Sequence, residues 1–195
     1  RLCKDMNIAD IVVTDDSALP SFDYHVSLMD LPKLFGTTLE TVPSKTPYLT
    51  VSTQLKEKWQ DHLGPRQSFR LGIVWASNPE NRKLLHKSIE LPLLTPLLQI
   101  HEVTVYSLQV GQEGEAVEQF GNGITDLAPE LTDFSETAGV ISQLDLVVSV
   151  DTSVAHLAGA LGCPVWTLIP FIGDWRWLLE REDSPWYPSM RLFRQ

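Results

Sequence analysis

The chain has 195 residues, 43% hydrophobic and 21% charged, so it is long enough to bury a domain-sized core without disulfides. Acidic residues outnumber basic ones by 25 to 15, and the formal net charge of -10 excludes a general nucleic-acid surface, which needs clustered Lys and Arg. The two cysteines, Cys3 and Cys163, lack metal-site spacing, and the absence of a signal peptide or a membrane-length apolar run predicts a cytoplasmic protein.

The first third of the chain is irregular in pattern. A β-branched run over 8–14 and the segment 24–29 are each compatible with a short strand. Residues 53–63 predict a helix, because apolar side chains recur there at four-residue intervals along one stripe. Gly64 and Pro65 end that helix and mark the predicted domain boundary.

Beyond the boundary, strands and helices alternate. The predicted strands cover 71–75, 103–108, 124–127, 146–150 and 164–169. The predicted helices cover 91–100, 113–120, 133–143 and 152–161. This alternation predicts an α/β domain over 66–195 with a Rossmann-like parallel sheet and flanking helices, and leaves 1–63 as the remnant of another domain.

Polar residues crowd the turn after the predicted strand 146–150. Ligands of open parallel sheets bind beyond the carboxyl ends of the strands. Asp151 is the predicted N-cap of the next helix, with Thr152 and Ser153 in its first turn, so free N–H groups and the helix dipole offer a phosphate site. A capped structural helix without any ligand explains the same residues. His156 does not share a helix face with Asp151, so we expect it to face a ligand or form core hydrogen bonds rather than bind metal.

The loop 76–88 follows the first strand of this domain and opens on the same sheet edge. It carries Arg82, Lys83 and Lys87 in an otherwise acidic protein. Lys87 or Arg82 is suited to neutralise a diphosphate, although a solvated charged loop is equally ordinary.

Two further segments follow strands at that edge. Gln109 and Gly111 are candidates to hold a ribose or base, because the glycine permits close backbone approach. The segment Asp174-Trp175-Arg176-Trp177 suits either stacking on a sugar or base or packing between domains. No dinucleotide, P-loop or hydrolase motif is present, and no His and carboxylate cluster has metal-ligand spacing.

The stretch VDTSVAHLAGALGCP, residues 150–164, resembles the signature of glycosyltransferase family 9, the heptosyltransferase-like enzymes of GT-B fold. LGIVWASNP, ELTDFSETA and DWRWLLEREDSPWYPSMRLFRQ are similar to further conserved blocks of that family. The resemblance runs from about residue 23 to 195 and is closest to bacterial members that carry tetratricopeptide repeats upstream. Repeats of this kind are expected to bind a protein partner.

The resemblance implies the C-terminal half of a two-domain enzyme, which grips the nucleotide diphosphate of a sugar donor. The acceptor site and catalytic base are then expected on an N-terminal domain that is mostly missing here, so this fragment alone is expected to be inactive. The family's diphosphate-binding residues carry over to Asp151, Thr152, Ser153 and Lys87. Its nucleoside- and sugar-binding residues carry over to the Gln109–Gly111 region, His156 and Asp174.

The expected activity is transfer of a hexosyl or heptosyl group from a nucleotide-diphosphate sugar to a hydroxyl acceptor on a glycan, a lipid-linked glycan or a protein. Neither a metal nor another cofactor is expected, because protein cations and helix N–H groups take the metal's role. Two alternatives stay open: a non-catalytic binding module derived from such a transferase, and a sugar-nucleotide epimerase of related fold.

Overall fold

The structure is a computed structural model and describes residues 9–13, 18–78 and 87–195. Its strands are β1 (Phe69–Val74), β2 (Val103–Ser107), β3 (Thr125–Asp126), β4 (Leu146–Val150), β5 (Val165–Ile169) and β6 (Met190–Arg194). Its α-helices are α1 (Leu31–Leu34), α2 (Thr53–Leu63), α3 (Thr95–Leu98), α4 (Phe134–Ile141) and α5 (Ser153–Ala160). Short 3-10 helices cover Leu28–Asp30, Leu91–Leu94, Gln112–Gly123, Ala128–Glu130 and Trp175–Trp177.

The six strands form one parallel sheet in the order β3-β2-β1-β4-β5-β6. This is the strand order of doubly wound dinucleotide-binding folds, and it confirms the predicted Rossmann-like α/β class. Ile73 pairs with Ser107 and Val74 pairs with Ser149, so β1, β2 and β4 end at nearly the same level. Because the strand order reverses between β1 and β4, a crevice is expected beyond these ends.

Apolar layers cover both faces of the sheet. Every residue of β4 is buried, as its nearly continuous apolar sequence predicts for a parallel strand between two helical layers. Val147 belongs to the core cluster that contains α4 and α5, whereas Leu146 and Val148 belong to the cluster on the other face. Successive side chains of β4 therefore pack alternately against the two helical layers.

Helix α2 has the predicted bounds and packs against the sheet domain. Its Trp59 side chain is 1% exposed and donates from Nε1 to Glu136 Oε2 of α4 at 2.8 Å. Lys58 adds an ion pair to the same oxygen at 2.8 Å. The predicted domain boundary at Gly64 thus falls between two segments that share one core, and the division into two domains stays a prediction.

Several predicted elements differ from the structure. No strand forms over 9–13, the described part of the run 8–14, and 24–29 contains only the start of a 3-10 helix. The predicted helix 91–100 is split into a 3-10 segment and α3, because Pro92 and Pro96 lack the backbone N–H that a continuous helix needs.

The predicted short helix 113–120 forms with 3-10 geometry, within a segment Gln112–Gly123 that is interrupted just beyond it at Gly121, where φ is +52°. Strand β6 was not among the predicted strands. It completes the sheet beside β5, with Met190 and Leu192 buried.

Candidate functional site

A cavity of about 640 Å³ opens at the carboxyl ends of β1, β2 and β4. This is the crevice that the strand order predicts. Its lining residues are Val74, Ala76, Ser77, Asn78, Leu108, Gln109, Val110, Gly111, Gln112, Thr152, Ser153 and Val154. Four residues predicted from sequence, Gln109, Gly111, Thr152 and Ser153, therefore meet at one cavity.

Helix α5 begins at this cavity, one residue later than predicted. The sequence predicts Asp151 as its N-cap, but the N-cap is Thr152, whose extended backbone has φ -133° and ψ 171°. Thr152 makes no side-chain cap bond, and its hydroxyl lies 3.0 Å from Ser149 Oγ instead. The first amides of an α-helix have no partner within the helix, so those of α5 are suited to bind an anion in the cavity.

Asp151 forms a buried ion pair with Lys87. Lys87 Nζ lies 2.5 Å from Asp151 Oδ2, and the two side chains are 13% and 5% exposed. The Lys87 ammonium carries three donors, of which this contact uses one. The structure thus brings Lys87 to the end of β4, while Arg82 and Lys83 of the same predicted cationic loop lie outside the described residues.

The Gln109 amide joins the ends of β1 and β2. Its Oε1 accepts from the backbone N–H groups of Trp75 at 3.2 Å and Ala76 at 2.8 Å, and its Nε2 donates to Val110 O at 3.1 Å. Both polar atoms of the side chain therefore bond to the backbone that shapes the cavity wall. Gly111 lies in the left-handed region at φ +85°, which favours glycine.

His156 lies beside the ion pair, contrary to the prediction that its position on the helix separates it from Asp151. Its Nε2 is 4.0 Å from Asp151 Oδ1, because Asp151 precedes the N-cap Thr152, whose backbone is extended rather than helical. Its Nδ1 lies 3.1 Å from Tyr187 Oη, and its ring stacks on Trp177 at 5.0 Å. Burial lowers the pKa of His156 against the opposing effect of Asp151, which favours the neutral imidazole.

Asp174 caps the 3-10 helix Trp175–Trp177. It accepts from the Arg176 backbone N–H at 3.1 Å and from the Arg176 guanidinium at 2.7 Å. Burial opposes ionisation of Asp174, but these hydrogen bonds and the nearby positive charges hold its pKa below the usual value. Asp174 and Arg176 lie at the edge of the same cluster, because Asp174 caps the 3-10 helix whose Trp177 stacks on His156.

The structure therefore divides the predicted residues into two adjoining groups. Gln109, Gly111, Thr152 and Ser153 line the cavity, whereas Lys87, Asp151, His156 and Asp174 form a polar cluster beside it.

Sequence reasoning did not assign Ser77 and Asn78 to the site, although both line the cavity. It also assigned no contact to Tyr187, 31 residues from His156, because no short-range pattern reports that pairing.

Within 9–13, 18–78 and 87–195, no group of three or more His, Cys, Asp or Glu side chains is arranged to hold a metal ion. Over the same ranges, no helix is both long and apolar enough to cross a bilayer.

Comparison with known proteins gives one family match. Residues 93–169 match the model of glycosyltransferase family 9 (heptosyltransferase). The predicted family is therefore confirmed over this segment, which runs from the 3-10 helix before α3 to the end of β5. The predicted closeness to repeat-bearing members stays a prediction.

Among curated proteins, the chain is 28% identical over 182 residues to Protein FlbA of Caulobacter vibrioides. The match covers 88% of this chain and 30% of FlbA, so the chain spans less than a third of that relative.

Solved structures of similar fold include a glycosyl transferase family 9 protein from Veillonella parvula, with a TM-score of 0.57 and 10% identity. The E. coli ADP-heptose lps heptosyltransferase II gives a TM-score of 0.55 at 17% identity. The E. coli heptosyltransferase WaaC with ADP gives 0.54 at 17% identity. These matches cover 75%, 74% and 84% of this chain and 42%, 44% and 47% of those chains, and they show a shared fold.

Proposed function

Because residues 93–169 match glycosyltransferase family 9, we propose that this chain forms the donor-binding half of a glycosyltransferase. It binds a nucleotide-diphosphate sugar and transfers the sugar to a hydroxyl acceptor. The observation that carries this proposal is the cavity of about 640 Å³ against which α5 begins, with the buried Lys87 ammonium beside it.

In the proposed complex the nucleoside occupies the cavity and the diphosphate lies against the first turn of α5. Val110 and Gly111 form part of the nucleoside wall, and the amides after Thr152 donate to phosphate oxygens. Lys87 contacts the diphosphate through donors that the Asp151 pair does not use. These groups supply positive potential within a protein of net charge -10.

The chemistry follows from stabilisation of the leaving group. The acceptor oxygen attacks the anomeric carbon, and the bond from that carbon to the diphosphate breaks with its electron pair on the diphosphate oxygen. Lys87 and the α5 amides stabilise the negative charge that develops there. The acceptor proton goes to a base that we do not assign to any residue of this chain.

Calorimetric titration with UDP, ADP, GDP and CDP tests the proposal. Lys87→Met should weaken the binding of the nucleotide with the highest affinity by about 10-fold or more, the usual effect of losing a charge-assisted hydrogen bond. Lys56→Met is the matched control, because Lys56 is exposed on α2 beside the far end of α5. Circular dichroism verifies that the Lys87 variant is folded.

A second pair of variants tests the helix amides. Ser153 is the first residue of α5, where proline fits helical geometry, so Ser153→Pro removes one N–H and the hydroxyl without breaking the helix. Ser153→Ala removes the hydroxyl alone. We expect the proline variant to bind several-fold more weakly than the alanine variant. Failure of all four nucleotides to bind, or affinity unchanged by both Lys87→Met and Ser153→Pro, contradicts the proposed site.

We also propose that donor binding is independent of metal. The affinity should then be the same in EDTA as in millimolar magnesium. An affinity that disappears in EDTA would show that a divalent ion, rather than Lys87 and the helix amides, neutralises the diphosphate.

A further inference from the structure

Tyr187 connects the segment before β6 to helix α5. Its side chain is buried at 8% exposure and lies against Gly159 of α5. A Cβ at residue 159 would lie 2.5 Å from Tyr187 Cγ, so only glycine allows this approach. The contact places Tyr187 Oη 3.1 Å from His156 Nδ1, one helical turn earlier.

The His156 ring is held on two sides. Trp177, itself fully buried, stacks on it with an interplanar angle of 19°, and Tyr187 meets it edge-on at 63°. These contacts fix the plane of the imidazole. Nε2 consequently faces the Asp151 carboxylate at 4.0 Å, and one third of the His156 side chain remains exposed.

The surrounding charges select one neutral tautomer. A proton on Nε2 lies next to the negative Asp151 oxygen, whereas a lone pair there would be repelled by it. Burial raises the pKa of Tyr187, so the phenol keeps its proton. Tyr187 can then donate this proton to Nδ1. Arg176, Asp174 and Lys87 are the other charged groups that act on this ring.

We propose that Tyr187 is a positioning residue that holds His156 as the neutral Nε2–H tautomer, so that the imidazole presents a fixed N–H donor beside Asp151. The inference rests on the proposed function, in which that donor bonds to a sugar or phosphate oxygen of the nucleotide sugar. It assigns a role to His156 that excludes proton abstraction, because Nε2 in this tautomer has no free lone pair.

The tautomer can be measured directly. Long-range ¹H–¹⁵N correlation spectra of ¹⁵N-histidine-labelled protein distinguish protonated from unprotonated ring nitrogens, and His156→Gln identifies the His156 signals among the five histidines. At about pH 7.5, above the ordinary histidine pKa, we expect a protonated Nε2 and an unprotonated Nδ1. A protonated Nδ1 in the native protein overturns the proposal, whatever the variants do.

Tyr187→Phe removes the hydroxyl and keeps the ring against Gly159. The two His156 nitrogen shifts should then move toward each other as the tautomers mix, and affinity for the sugar nucleotide should fall by about 3- to 10-fold. Tyr106→Phe is the matched control, since it removes the hydroxyl of another buried tyrosine, on β2. Nitrogen shifts that stay unchanged in Tyr187→Phe also overturn the proposal.

The two proposals fail separately. If no nucleotide binds the native protein, the donor-site function is wrong, yet the His156 spectrum still reports the tautomer. If nucleotides bind as expected and Tyr187→Phe leaves both the spectrum and the affinity unchanged, only the positioning role is wrong.

Discussion

At the scale of single residues, Gln109 shapes the cavity through its bonds to the backbone. Gln109→Leu would leave the N–H groups of Trp75 and Ala76 without their acceptor inside the protein. A buried unpaired donor costs about 1–3 kcal/mol, so we expect the free energy of unfolding to fall by at least that amount. Urea denaturation measures the change. Gln112→Leu, on an exposed residue lining the same cavity, should change the stability by less than about 0.5 kcal/mol.

His156 gives the protein a predictable pH dependence. Burial holds its native pKa below the ordinary histidine value of 6.5, so the unfolded chain binds a proton there more readily than the native state. The free energy of unfolding should therefore fall as the pH is lowered through 6.5. Urea denaturation between about pH 7.5 and 5 should show a smaller decline for His156→Gln. Equal declines in the two proteins would assign the effect to other groups.

The sequence identifies most of the polar residues near the site but not their contacts. Strand ends and polar turns place Asp151 and Gln109 at one edge of a parallel sheet. The Lys87–Asp151 pair joins residues 64 positions apart, and neither spacing nor periodicity reports such a contact. The same holds for Tyr187 and His156, whose approach depends on the small residue at 159.

At the scale of elements, the contact between α2 and α4 depends on Gly139. An added Cβ there would lie 2.7 Å from Trp59 Nε1 and 2.9 Å from Leu55 Cγ, and both side chains are buried. Gly139→Ala should therefore lower the free energy of unfolding by about 1–3 kcal/mol through overpacking, despite the higher helix propensity of alanine. Thermal denaturation is the measurement.

Gly123→Ala provides the comparison for this contact. Its Cβ would meet Leu98 Cδ1 at 3.7 Å, an ordinary contact, so we expect no loss of stability. A Gly139 variant as stable as the Gly123 variant would mean that α2 can move aside without cost.

Elements with strong periodicity or continuous burial are predicted well, and the others are not. The apolar stripe in 53–63 predicts the bounds of α2 correctly, and the apolar run 146–150 predicts those of β4. The predicted helix 91–100 does not form as one continuous helix, because Pro96 removes a backbone donor within it, and residues 113–120 form a 3-10 helix. The strand MRLFR alternates only over five residues, too short to identify β6 without its neighbour β5.

At the scale of the whole molecule, the segment before the sheet contributes to its core. Val51, Leu55 and Trp59 are buried in the same cluster as α4 and α5. A chain beginning at Arg66 loses these side chains and exposes their contact surface. With about 1.5–3 kcal/mol for each large apolar side chain, the loss is a sizeable part of a typical domain's stability of about 5–15 kcal/mol.

We therefore expect a chain beginning at Ser44 to unfold cooperatively near the temperature of the full chain, and one beginning at Arg66 to unfold well below it. Calorimetry and binding of an apolar dye measure the difference. Most described side chains over 18–43 are exposed, which is the reason to begin the control at Ser44. If both truncated chains unfold at the same temperature, that result would support an independent domain over 66–195.

The stack of Trp177 on His156 gives the molecule an optical reporter of its own. A charged imidazole in contact with an indole quenches its emission more strongly than a neutral one, and Trp177 is shielded from water at 0% exposure. The difference in fluorescence between the protein and its Trp177→Phe variant isolates this indole from the five other tryptophans. The fluorescence of Trp177 thus reports the protonation of His156 without any attached dye.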